Sequence, residues 1–576
     1  MKFEKLFKEQ PIVKPFLDLN NPIAAFDIES ELDATGNWVF KVASVAYDNE
    51  VTWYYDVKAL HEKLLELKAP AYAHNLDFDV LFFMREPDLL AATQDTKIIS
   101  SGNKIIAIKI AGVEFRNSLV LLPMSLLKVV KKFLLVNDPE YFADKARVTA
   151  LNDYELKYYC AKDSGYLLAA LNKYINFVSS YGCTLKYTTP STALNIFIGN
   201  FNDHDFIKDS NRHSFFDTGY YFGGHSEKFV AGEKVFRHCY YYDINSLYPH
   251  VMKQFECSTG KLVKIKPDIS QVKRLVRRGK LFFGEFLVNI NSEELRFFPV
   301  LDAEKHLNKY PTGLHWLKLS EVAIKFILKY GTWKNICDCR VLLIYDAEQK
   351  IKPFESYVDH FYAVRKSGNG YEEVAKLLLN SLYGKFGERL LKQSKTINPS
   401  KEHENMVSFE HINGTENVIT THIEKISKYK TKFNRFDIAG KITESARLLM
   451  ADYINQCRQY GQVYYTDTDS VITNFPLELS PLQHLVDANQ LGLFKNEEYN
   501  QSCIIIGVKM YHFYQSGKTA RKGIKNMGLT EFRELIRGRK AFTNERFSKL
   551  YSLVNKGFFG IQITPYEIHT ILERLD

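Results

Sequence analysis

The chain has no apolar run approaching the roughly 18 residues that a membrane helix requires, so no membrane is expected among its partners. It also lacks a signal-peptide-like apolar core near its start, where M-K-F-E-K-L-F-K-E-Q-P mixes acids with lysines. The expectation is an intracellular protein, of the cytoplasm or nucleoid, not a secreted one. Cysteine is sparse: eight are scattered along the chain, and only Cys337 and Cys339 lie close together. That spacing suits a reducing compartment and offers no zinc module. No internal repeat, low-complexity tract or long disordered linker is visible. What is present is ample core material, 45% apolar and 14% aromatic over 576 residues. A chain of this length exceeds what one core usually supports, so several domains are expected.

Charge of one sign is in excess, and unevenly so. The formal net charge is +9, and residues 505–576 alone hold 13 Lys/Arg against 6 Asp/Glu. A stretch such as G-K-T-A-R-K-G-I-K-N fits contact with a polyanion, and equally a solvated basic surface.

Alternating strand-like segments (A-A-F-D-I-E-S, K-V-A-S-V-A-Y, V-T-W-Y-Y-D-V) open the sequence, and K-A-L-H-E-K-L-L-E-L follows with a helical period. K-I-I-A-I-K-I-A-G-V-E-F then precedes two amphipathic helices, S-L-L-K-V-V-K-K-F-L-L and Y-E-L-K-Y-Y-C-A-K-D-S-G-Y-L-L-A-A-L. Strands followed by helices in about 175 residues fit one α/β domain. The remainder reads as α+β, with helices near 353–366, 371–386 and 440–458, and an exposed excursion at 388–417.

Four acids mark the first third. Asp27 and Glu29 form an i, i+2 pair in F-D-I-E-S, Asp79 ends H-N-L-D-F-D, and Asp163 follows Tyr159 by four residues, which stacks the two on one helix face. Singly, each fits an edge charge, a helix cap or an exposed helix position. Together they supply the oxygen-rich shell that two divalent ions need for phosphodiester hydrolysis, with Tyr159 positioning the attacking water. In this order and spacing D-I-E, N-L-D-F-D and Y-C-A-K-D resemble the three exonuclease motifs of proofreading DNA polymerases. H-N-L-D-F-D and Ser118–Leu119 are most similar to the small protein-primed branch of family B, the enzymes of small phages, linear plasmids and related viruses. The resemblance implies that His74, Asn75, Phe78, Ser118 and Leu119 hold a frayed 3′ strand. Lys145 is the best match for an auxiliary lysine, although it lies closer to Asp163 than the family pattern places it.

The later motifs agree. Y-Y-Y-D-I-N-S-L-Y-P-H resembles polymerase motif A, which makes Asp243 a metal ligand, the Ile244 carbonyl an extra oxygen ligand, and Ser246, Leu247 and Tyr248 nucleotide-binding, with Tyr248 under the sugar. In A-K-L-L-L-N-S-L-Y-G-K-F-G, Lys376, Asn380 and Tyr383 form one helical stripe beside leucines that already provide packing. This resembles motif B, where Lys376 neutralises triphosphate charge, and Arg365 is a second clamp. Y-T-D-T-D-S sets Asp467 and Asp469 two apart; alone it reads as a polar turn, and in a strand the carboxylates would crowd one face. It resembles motif C, whose acids share two Mg²⁺ ions with Asp243, Mn²⁺ being able to substitute. Asp469 is the stronger candidate for a ligand to both ions. Y-F-G-G (Tyr221, Gly223, Gly224), T-E-S-A-R with Arg447, and K-M-Y with Lys509 and Tyr511 resemble the DNA-contacting motifs of the family.

The resemblance implies an RNase H-like 3′–5′ exonuclease domain (1–175) followed by a right-hand polymerase with an antiparallel palm sheet. The palm takes 176–257 and 436–512, an inserted subdomain contacting a terminal protein plus further palm 258–352, the fingers 353–387, a second insertion 388–435, and the thumb 513–576. The expected partners are template and primer DNA, dNTPs and a terminal-protein primer, acting on a monomer. The same enzyme on an ordinary nucleic-acid primer is the nearest alternative, and a homologue that kept the fold but lost the chemistry is a distant one.

Overall fold

The computed structural model describes residues 1–7, 22–101, 104–202, 214–216, 219–230, 234–291, 295, 297–302, 307–309, 312–388, 392–400, 406–412, 416–424, 433, 435–521, 528–536, 542–547 and 561–566.

The first third builds strands β1 (Ala24–Leu32), β2 (Trp38–Tyr47), β3 (Glu50–Tyr54), β4 (Ala71–Ala73), β5 (Thr96–Ser101), β6 (Lys104–Ile110) and β7 (Val113–Asn117). β4 runs parallel to β1 and β7, while the other pairs are antiparallel. Ala24, Phe26 and Ile28 of β1 feed one core, and Ala25 feeds the other, as the two-residue period of a strand requires. Helices α1 (Val57–Leu67), α2 (Leu76–Met84), α3 (Pro139–Ala146) and α4 (Asp153–Ser179) pack about this sheet. α4 starts on a capping box in which Asn152 and Glu155 satisfy each other's backbone N–H groups.

After α5 (Thr189–Asn200) come β8 (Ser226–Lys228) and β9 (Lys234–Ile244), then α6 (Leu247–Gln254). An inserted unit follows: β10 (Leu262–Ile265), α7 (Ile269–Arg277), β11 (Phe282–Ile290), β12 (Gly313–Ser320), α8 (Glu321–Tyr330) and β13 (Ile336–Tyr345). Its sheet runs β10-β13-β11-β12. α9 (Glu355–Lys366) and α10 (Glu372–Phe386) lie close to the helices expected at 353–366 and 371–386.

The described residues of the stretch expected as an exposed excursion at 388–417 instead contribute to a sheet. β14 (Lys392–Ile397), β15 (Met406–His411) and β16 (Val418–Glu424) join the first domain, giving the ten-stranded order β15-β16-β14-β5-β6-β7-β4-β1-β2-β3. Ile397, Ile412 and Ile419 enter the first domain's core. The Asn398 amide donates to the Leu90 and Thr93 carbonyls at 3.0 and 2.9 Å. Those distant apolar partners, not local polarity, decide the segment's state. The lysine-rich run 425–432 lies outside the described residues.

α11 (Phe436–Cys457), β17 (Val463–Asp467), β18 (Ser470–Thr473), β19 (Phe494–Gly507), β20 (Met510–Phe513) and β21 (Thr519–Arg521) complete the palm. Its antiparallel sheet has the order β21-β20-β19-β9-β18-β17-β8. Much of the segment expected as thumb, 513–576, lies outside the described residues. Among the described residues no helix is long and apolar enough to cross a membrane.

Candidate active sites

Two carboxylate sites stand on two separate sheets. At the first, Asp27 and Glu29 share the face of β1 turned toward α4, and a bulge follows Glu29. α4 brings Asp163 opposite them. One oxygen from each of Asp27, Glu29 and Asp163 lies within 4.8 Å of the others. Burial, then the charge of Asp163, pushes the Asp27 carboxyl up to about 7. Burial and then Asp27 raise Glu29 well above its ordinary value, and the same two causes raise Asp79, which is 4% exposed on α2. The Asp27 Oδ2 atom is buried with no hydrogen-bond partner. An oxygen-only donor set with an orphaned carboxylate oxygen fits a hard divalent cation, because acids this close repel unless a cation lies between them.

Asp163 is held on both oxygens. Tyr159 Oη and Lys145 Nζ donate to its Oδ2 at 2.8 and 3.0 Å, and Tyr141 Oη donates to Oδ1. Lys145 thus sits in the site despite its short spacing from Asp163; burial opposes its charge, but Asp163, Asp27 and Glu29 hold its pKa above the ordinary lysine value. Tyr141 was missed by sequence reasoning. Its signal was available, since Tyr141 and Lys145 are four apart on α3 and so share one helix face.

The residues expected to hold a frayed strand line the same region. His74 Nδ1 lies 3.0 Å from Ser118 Oγ and its Nε2 2.7 Å from the Met124 carbonyl. Ser118 is wholly buried beneath His74 and donates to the Ala73 carbonyl at 2.9 Å. Asn75 is exposed in the left-handed region (φ 84°) at the head of α2, and Phe78 and Leu119 are half-buried.

At the second site Asp243 occupies the next-to-last position of β9, paired with Ser470 on one side and Lys495 on the other. The two motif-C acids do not crowd one strand face. Asp467 ends β17 opposite Ser470, and Thr468 turns the chain in the left-handed region (φ 58°). A β-branched residue is costly there. The turn is held by Thr468 N donating to the His225 carbonyl (2.7 Å) and Asp469 N to the Asp467 carbonyl (2.6 Å). The turn divides the acids. Asp467 accepts from Ser226 Oγ at 2.5 Å and lies 3.5 Å from Lys509 Nζ. Asp469 instead lies within electrostatic reach of Asp243. Burial, followed by Asp469 and Glu497, pushes Asp243 up to about 7, and burial, followed among the raising charges by Asp467, pushes Asp469 up to about 6. The Ile244 N–H donates to the Asp469 carbonyl at 2.8 Å, tying β9 to the turn. Lys495, Glu497 and Lys518 also act on Asp243; no motif announces them, and of the three only Lys495 stands opposite it in the sheet register.

Beyond Asp243, Ser246 adopts φ 55° and accepts a hydrogen bond from the Arg365 guanidinium. Leu247 is buried in the core. The Tyr248 and Tyr383 rings stack with centroids 4.6 Å apart and planes at 15°. Lys376 and Asn380 are exposed on the same helix as Tyr383, and the Lys376 charge reaches Asp469. Lys509 takes φ 59° and donates its N–H to Tyr465 Oη at 2.8 Å, while Tyr511 packs against Tyr465 in the palm core.

Arg447, expected to contact DNA, sits beneath the Tyr221–Gly224 segment. It is 5% exposed, and its Nη1 donates to the Phe222 and Gly223 carbonyls at 2.6 and 3.0 Å with the guanidinium 3.5 Å over the Phe222 ring. Burial pulls its pKa down to about 10. It therefore fixes the Tyr221–Gly224 segment, whose last glycine abuts the Thr468 turn: a Cβ on Gly224 would lie 2.6 Å from Thr468 Cγ2. Gly224→Ala is expected to displace that turn, lowering stability by about 1–3 kcal/mol and slowing chemistry at Asp243 and Asp469. The first site, on a different sheet, should be unaffected. Thermal melting and separate assays of the two sites check this; an unchanged rate at the Asp243 site would contradict it.

Residues 137–460 match the sequence family described as DNA polymerase type B, organellar and viral. The chain is 25% identical to a probable DNA polymerase of Agaricus bitorquis, over 83% of this chain and 69% of that protein. It is 25% identical to the DNA-directed DNA polymerase of Enterobacteria phage PRD1, over 78% and 75%. A probable DNA polymerase of Ascobolus immersus is 24% identical, and the match spans 47% of that longer protein. In fold the chain is similar to Phi29 DNA polymerase, with a TM-score of 0.70 at 16% identity over 95% of this chain and all of that one. The Phi29 enzyme in complex with primer-template DNA and incoming nucleotide gives 0.68 at 18% identity, over 95% of this chain and 99% of that one.

Proposed function

The chain belongs to the type B DNA polymerases of the organellar and viral kind, and from that premise we propose that it copies DNA at the palm site, proofreads at the Asp27 site, and starts synthesis on a hydroxyl of a terminal protein. The observation that carries the reading is the presence of two carboxylate sites on two separate sheets, each with acids pushed up by burial and by one another. Such pairs suit divalent cations, for which Mg²⁺ is the natural occupant and Mn²⁺ a substitute.

At the palm, Asp243 and Asp469 with the Ile244 carbonyl would hold the ions, which when bound activate the attacking hydroxyl and offset the charge of the leaving pyrophosphate. Asp467, engaged by Ser226 and close to Lys509, shapes the hairpin and fixes the lysine beside the primer end. Lys376 and Arg365 neutralise the triphosphate. Tyr248, backed by Tyr383, forms a flat floor on which the incoming sugar rests and against which a 2′-hydroxyl collides. Arg447 supports the template-contacting Tyr221–Gly224 segment from beneath. At the other site Asp27, Glu29, Asp79 and Asp163 would hold the ions; Tyr159 orients the attacking water, and Lys145 and Tyr141 keep Asp163 in place. His74, Asn75, Phe78 and Leu119 receive the unpaired 3′ end.

The test supplies dNTPs and Mg²⁺ either with a primed template or with a candidate terminal protein and no oligonucleotide. Extension of the first and a covalent protein–nucleotide adduct in the second are expected. Extension without an adduct for any of the four nucleotides would assign the enzyme to ordinary nucleic-acid primers.

A further inference from the structure

The steepest concentration of charge described in this chain lies outside both sites. Residues 261–280 carry eight lysines and arginines against one acid, a net of +7 within a chain whose total is +9. The acid, Asp268, is committed to capping α7, accepting from the Ser270 N–H and hydroxyl, each at 2.8 Å. α7 itself contains no acid. Val272 is buried in the main core, and Ile269, Leu275 and Val276 pack against that core, so the helix cannot roll. The opposite side presents Arg274, Arg277 and Arg278, all exposed and without an ion-pair partner among the described residues. Their neighbours do have partners: Lys273 lies 5.5 Å over the Trp333 ring, and Lys280 pairs with Glu348. Exposed Lys264 and Lys266 of the preceding strand and loop extend the same cationic stretch.

Two bland accounts fall short. Basic residues in the last turn complement the helix dipole, but like charges four apart repel, and both Lys273–Arg277 and Arg274–Arg278 are such pairs. Lysines on an edge strand such as β10 discourage edge pairing, but that does not explain arginines on a helix. A polyanion relieves this repulsion.

We propose that the outer face of α7 grips a DNA sugar–phosphate backbone, a reading that rests on the DNA-polymerase assignment above. Cations four residues apart rise about 6 Å along the helix, and arginine's planar fork suits phosphate oxygens. No large apolar side chain of α7 is exposed, whereas a protein partner calls for an apolar centre within the contact. The face is also anchored to the palm: Lys441 Nζ pairs with Glu321 at 2.5 Å, and Ser320 N donates to Glu444 at 3.2 Å, both partners lying on α11, the helix that carries Arg447.

The experiment measures equilibrium binding of the full chain to fluorescent duplex and single-stranded oligonucleotides of equal length, without divalent cation, over a range of salt. The triple variant Arg274→Ala, Arg277→Ala, Arg278→Ala should lower the slope of log affinity against log salt by about 3, about 1 for each phosphate contact. The triple lysine variant at the same positions should keep the slope, which separates lost charge from lost folding. Loss on the duplex alone, or on both oligonucleotides, supports the proposal and shows which form lies on α7. An unchanged slope on both overturns it. So does intact DNA binding combined with lost capture of an acidic protein primer, which would assign the face to that protein. Because binding is read without turnover, a chain that adds no nucleotide yet shows the slope loss would sink the polymerase assignment and leave the cationic face standing.

Discussion

Asp469→Ala is expected to lower nucleotide addition by at least about 10³-fold, equivalent to about 4 kcal/mol of transition-state stabilisation, while 3′-end excision continues at the parental rate. The expectation follows from how the turn divides its acids. Asp467 is occupied by Ser226 and lies near Lys509, whereas Asp469 is the motif-C acid whose charge raises the Asp243 carboxyl. Removing Asp469 leaves Asp243 without the acid of the adjoining turn, and the negative charge of the incoming triphosphate then goes uncompensated. Single-turnover insertion on a primed template measures the first activity, and shortening of a labelled single strand the second. A variant that loses both together would mean that the two sites are not independent.

Asp27→Ala should give the mirror image. Excision is expected to fall by at least about 10³-fold, with insertion retained and misinserted nucleotides persisting. Asp27 lies at the centre of its cluster: it raises Glu29 and Asp79, and its Oδ2 is the orphaned oxygen. Its loss should bring the Glu29 carboxyl down toward its ordinary range, because one of the charges raising it is gone. Carboxyl titration followed by NMR can read that shift alongside the kinetics. Residual excision above one tenth of the parental rate would show that Asp27 is dispensable.

The residues that could be read from sequence are those whose neighbours are local. Asp27 and Glu29 obey the strand period, Tyr159 and Asp163 the helix period, and the helices at 355–366 and 372–386 follow from apolar spacing. Illegible features depend on pairings made across hundreds of residues. Lys495 meets Asp243 only through sheet register, 252 positions apart. The hold of Arg447 on the Phe222 and Gly223 carbonyls, 225 and 224 residues away, has no local signal. The separation of Asp467 from Asp469 depends on a positive φ at Thr468, a conformation that a threonine does not advertise. The 392–424 segment looks polar because the surface it covers belongs to another domain.

That last arrangement has a consequence for how the chain is made. β14 seals the edge of β5, yet Ser400 and the Asp95 carboxylate that it meets are 305 residues apart. On a ribosome adding 5–20 residues per second, the β5 edge waits about 15–60 s for its neighbour. A nascent chain would therefore carry an unpaired strand edge through synthesis of the whole central palm and fingers, the interval in which chaperone capture or mispairing between neighbouring nascent chains competes with correct closure.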